Sequence, residues 1–104
     1  MAVTRQGASI VFTAITDSID FGGLLGEVAA VTFRGTGLTA DQRLTIRDTA
    51  TQGSGNILVD YGVEGTSDNA DLWGGRRPQP VKGLSIDNNT IAGTWTLTFD
   101  VRGV

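Results

Sequence analysis

Eight residues near the end of the chain, Thr94 to Val101, alternate without a break between apolar and polar side chains. Trp95, Leu97, Phe99 and Val101 fall on one side of an extended backbone, and Thr94, Thr96, Thr98 and Asp100 on the other. A period of two in a run rich in β-branched and aromatic residues marks a strand with one face in a core and one in water. The run predicts a strand that closes a self-contained β domain, with Trp95 in the core.

Shorter runs agree with it. Strands are expected near 8–15, 28–34, 42–49, 56–64 and 81–86 as well as 94–101. In the second, Ala29, Val31 and Phe33 are expected inward, with Thr32 and Arg34 outward. In the third, Leu44 and Ile46 face inward and Arg43, Thr45 and Arg47 outward. In the fourth, Ile57, Val59, Tyr61 and Val63 share a face opposite Asp60 and Glu64. Glycine, at 15 of the 104 residues, falls mostly between these runs, where turns need positive φ. No window shows a convincing helical period, and a single turn near Thr39–Leu44 is the best helical candidate. TATQGSGN (49–56) reads as an exposed hairpin tip, and 65–81 as a long loop. The fold class predicted is all-β: a compact antiparallel β-sandwich or small jelly-roll-like barrel of about six to eight strands, in one domain spanning 1–104.

Composition narrows the chemistry. The net charge is −3 and the only basic cluster is Arg76 with Arg77, so no nucleic-acid partner is expected. Without cysteine there are no disulfides or thiolate sites, and without histidine no Ser-His-Asp arrangement and no histidine-ligated metal. The apolar stretch at 8–15 is broken by Ser9 and Thr13 and is too short to span a bilayer, so neither an export signal nor a membrane partner is expected.

The remaining candidates for chemistry are oxygen-bearing side chains. Asp68 with Asp71, and Asp17 with Asp20, could serve as carboxylate pairs in glycosidic acid/base work. Both pairs lie in turn-rich sequence, where Asp commonly binds nearby backbone amides, and that turn role is the expected one. SDNAD (67–71) and DNNT (87–90) offer oxygens of the kind calcium takes, but neither fits an EF-hand loop, and solvated turns are expected there. Lys82, the only lysine, has no neighbours that suggest desolvation. No catalytic residue, metal or cofactor is predicted.

Trp73 stands apart from Trp95. It sits in the 65–81 segment beside Gly74 and Gly75, ahead of Arg76, Arg77, Pro78 and Pro80. An aromatic residue next to arginines is a composition enriched at protein interfaces, and the prolines would hold RRPQP extended as a stiff strap. Two readings follow: Trp73, Arg76, Arg77, Pro78 and Pro80 form an interface, or Trp73 folds back to plug one end of the sandwich.

The order of elements from residue 28 onward adds a resemblance. VAAVTFRGTGLTADQRLTIRD (28–48), GNILVDYGVE (55–64), KGLSI (82–86) and AGTWTLTFDV (92–101) together resemble a group of small phage proteins of unknown or virion-structural role, over about three quarters of the chain. The resemblance implies a phage virion structural protein, a capsid decoration or cement protein that binds the shell and neighbouring subunits. It would be an oligomer, a trimer by the commonest pattern, localised to the virion after assembly in the host cytoplasm. Its partner would be the major capsid protein or another virion protein. The alternative is a tail- or fibre-associated module that recognises a host-surface glycan, with Trp73, Asp68, Asn69 and Asp71 supplying the stacking face and polar groups.

Overall fold

Strict alternation in the chain becomes strand pairing wherever one face can reach a core. The computed structural model describes residues 3–13, 17–87 and 90–104 and forms an all-β sandwich of two antiparallel sheets. Its strands are β1 (Val3–Gln6), β2 (Ser9–Phe12), β3 (Asp17–Asp20), β4 (Gly26–Thr36), β5 (Arg43–Arg47), β6 (Ile57–Gly62), β7 (Ser67–Asp71), β8 (Gln79–Val81), β9 (Gly83–Asp87) and β10 (Thr94–Arg102). The first sheet runs β1-β2-β10-β4-β7, with β8 also paired to β4, and the second runs β3-β9-β5-β6. No helix occurs among the described residues, and in place of the helical turn expected near Thr39–Leu44 Asp41 takes a positive φ of 69° before β5 begins at Arg43.

β10 lies at the centre of the first sheet, between β2 and β4. Its inward row, Trp95, Leu97, Phe99 and Val101, is at most 4% exposed. The ring of Phe99 meets Phe12 edge-on, with centroids 5.6 Å apart. Phe33 of β4 links the two sheets, stacking on Trp95 at 6.0 Å and touching Tyr61 of β6 at 5.3 Å. Gly35 makes this packing possible, because a Cβ there would come within 2.9 Å of Leu38 and 3.0 Å of Trp95.

Two bulges correct the face assignments. Ala30 pairs with Asp100 but Val28 pairs with Val101, so Ala29 is the extra residue of β4 and is only half-buried. The offset turns Val28 inward together with Val31 and Phe33. On β6, Val59 pairs with Ile46 but Ile57 pairs with Arg47, so Leu58 is the extra residue. Leu58 is buried as a result, and Ile57 is 53% exposed and not on the inward face. Thr45, expected outward and wet, is buried at 7% exposure.

The segment 48–56 is the turn of the β5–β6 hairpin, but it is not a free tip. Gln52 donates from its amide to the carbonyl of Asp17 at 3.1 Å. Ala50 sits so close to β9 that a Cβ on Gly83 would meet its backbone nitrogen at 2.9 Å. Gly83 therefore allows the hairpin turn to lie on the second sheet.

The 65–81 loop is corrected more extensively. β7 and β8 run antiparallel to the same strand, β7 against Thr32–Thr36 and β8 against Gly26–Val28. They form one edge strand interrupted by residues 72–78, and the amide of Leu72 still donates to the carbonyl of Val31 at 2.9 Å. The first expected strand shortens to β2, and residues 14–15 of that expectation lie outside the described residues.

Candidate functional site

The excursion at 72–78 turns Trp73 into the sandwich. Asp71 starts the turn, its carboxylate accepting from the backbone amides of Trp73 at 3.0 Å and Gly74 at 3.2 Å. Trp73 is 2% exposed and belongs to the core, as in the plug reading, so its indole presents no face to a partner. Arg76 lies over that ring, 4.2 Å from its centroid, and donates to the carbonyl of Leu58 on β6 at 2.7 Å. Trp73 and Arg76 thus clasp the open edge of one sheet to that of the other. Arg77, Pro78 and Pro80 are exposed, and Arg77 has no partner among the described residues.

A second clasp lies on the same side. The Tyr61 hydroxyl on β6 donates to the Asp68 carboxylate on β7. The other Asp68 oxygen accepts from the amide of Asn69 at 3.0 Å. Burial, followed by the bond to Asp68 and the negative charges of Asp68 and Glu64, pushes the Tyr61 phenol well above its ordinary value of 10.0. Because the folded form holds the proton more tightly than the unfolded form, this clasp stabilises fully below about pH 10, and its contribution is lost as the pH rises above that. Tyr61 is the only tyrosine, so its ionisation can be followed by ultraviolet absorbance. No phenolate is expected until the protein unfolds in alkali, and Tyr61→Phe should flatten the alkaline fall in stability. A phenol that titrates near pH 10 in folded protein would show that the clasp is open.

The four acids of the candidate carboxylate pairs each bind a nearby backbone amide, the role expected of them. Asp68 and Asp71 stand three residues apart on one strand and so point to opposite faces, Asp68 toward Tyr61 and Asp71 toward the 72–78 turn. Asp17 accepts from the amide of Ser18 at 2.8 Å, and Asp20 from that of Gly22 at 2.9 Å. SDNAD is strand β7 and not a turn, and no metal-binding cluster of acidic residues occurs among the described residues. Asn88 and Asn89 of DNNT lie outside the described residues. Lys82 is exposed where the chain crosses from β8 to β9.

Two surface features escaped sequence reasoning. Leu24 and Leu25, on the turn between β3 and β4, are 59% and 57% exposed. Leu25 borders a groove of about 510 Å³ with Asp20, Thr49, Ala50 and Lys82, and a second of about 340 Å³ with Asn56, Pro80 and Lys82. The other feature is an open groove of about 680 Å³ across β10, β4 and β7 that includes Arg34, Asn69 and Thr96. The outward Thr94, Thr96 and Thr98 signalled a wet face but not which side chains would lie beside them.

Comparison of the chain with protein-family models, with curated proteins and with solved structures found no match.

Proposed function

We propose that this chain is a phage virion structural protein, a capsid decoration or cement protein that binds the shell and neighbouring subunits as an oligomer. The resemblance over residues 28–101 supports this reading, and one observation carries it: the paired exposure of Leu24 and Leu25. Adjacent exposed leucines on a small domain that buries nearly all its other large apolar side chains mark a contact surface. Thr49, Asn56 and Lys82 line the grooves beside Leu25 and supply the polar rim usual around an apolar contact. In this reading the contact centres on the leucines and not on Trp73. Arg77, Pro78 and Pro80 remain free to join its edge.

Quantifying the chain against the major capsid protein in purified particles tests the reading. A copy number comparable with that of the shell subunit is expected, whereas a few copies per particle would favour the tail- or fibre-associated module. A Leu24→Asp, Leu25→Asp variant is expected to bind the shell at least about tenfold more weakly, since interface anchors commonly contribute 2 kcal/mol or more. Its stability should change by no more than about 0.5 kcal/mol per position. Unaltered shell binding would remove the leucines from the contact.

A further inference from the structure

We propose that the outer face of the first sheet carries a binding site for a carboxylated saccharide, in which Arg34 takes the carboxylate and the flanking side chains take hydroxyls. The site follows from register. Thr96, Arg34 and Asn69 stand side by side on β10, β4 and β7, and Thr94, Thr36 and Ser67 form the next row. Neighbouring strands are about 4.8 Å apart and alternate residues about 6.7 Å, so the six side chains form a grid on the scale of one or two sugar rings. All six residues are exposed, and none of the six side chains makes a hydrogen bond or ion pair among the described residues. Trp95 and Gly35 contribute to the floor.

Charge selects the ligand. Arg34 is the only cation lining the groove, and its guanidinium offers a fork of donors that matches a carboxylate. Asp68, the only acid among the described lining residues, is held by the Tyr61 hydroxyl of the opposite sheet and by the backbone amide of Asn69. The threonine and serine hydroxyls and the side-chain carboxamide of Asn69 can each donate and accept, as a polyhydroxyl ligand requires. The proposal rests on this groove alone and is independent of the contact at Leu24 and Leu25.

The test is a titration of isotope-labelled whole chain with sodium glucuronate, glucose and sodium sulfate, followed by amide chemical shifts. Glucuronate is expected to bind saturably, with the largest shifts at Arg34, Asn69 and Thr96. Glucose and sulfate should each bind about tenfold or more weakly, because one lacks the charge and the other the hydroxyls. Arg34→Gln should weaken glucuronate about tenfold or more with an unchanged melting temperature, since the residue is exposed and unpaired. Absence of saturable glucuronate binding, equal binding of glucose or sulfate, shifts centred elsewhere, or an Arg34→Gln variant that binds as well as the parent would each overturn the assignment.

Discussion

Trp73→Ala is expected to lower the melting temperature more than any other change in the 65–81 segment. Removing a buried tryptophan costs about 3 to 5 kcal/mol, and each kcal/mol is worth about 4 to 8 °C in a domain of this size. The indole is 2% exposed and roofed by Arg76, so its loss opens a cavity at the seam between β6 and the β7–β8 edge. Arg76→Ala should have a smaller effect, about 0.5 to 1 kcal/mol from the ring contact and about 0.5 to 1.5 kcal/mol from the bond to Leu58. Thermal melting and sedimentation of the folded variant separate the two roles of Trp73. A lower melting temperature with unchanged association fits the clasp. An unchanged melting temperature with lost association would return Trp73 to an interface role.

The second large effect is expected at Phe33. Its side chain is fully buried and is the one ring that contacts both Trp95 of its own sheet and Tyr61 of the opposite sheet. Phe33→Ala should cost about 3 to 5 kcal/mol from the cavity, and aromatic pairs add about 0.5 to 1.5 kcal/mol each. Trp95→Ala should also destabilise strongly, but less, because Trp95 touches one ring of this cluster and lies at the floor of an open groove. Urea unfolding midpoints of the two variants measure the order. If Phe33→Ala were the milder change, the inter-sheet contact would not be central to the core. In a Phe33→Ala background the effect of Tyr61→Phe should shrink, because the ring that positions the phenol is gone.

Sheet edges explain what was hard to read. β7 has the sequence SDNAD, with only Ala70 apolar, because an edge strand needs little core-facing surface and charged residues keep it from pairing with other chains. A polar edge strand and a polar loop are alike in composition, so 65–81 reads as one loop although eight of its residues, five in β7 and three in β8, pair with β4. β3, DSID, is obscure for the same reason. The candidate groove is harder still, since Arg34, Thr96 and Asn69 are far apart in the chain and only strand order makes them neighbours.

Local alternation determined the all-β class, the inward row of β10 and the inward side chains of β5, and composition alone removed histidine and cysteine chemistry. These properties depend on a period of two and on residue type, which the chain carries by itself. Tertiary structure decided the phase across the two bulges, which places Val28 and Leu58 inward and Ile57 outward. It also decided that Trp73 and Arg76 clasp the sheets, that Tyr61 meets Asp68, and that two leucines remain in solvent. A bulge is set by how one strand fits its partner, and a clasp by which edges lie opposite each other. Neither relation exists until strands distant in the chain have paired.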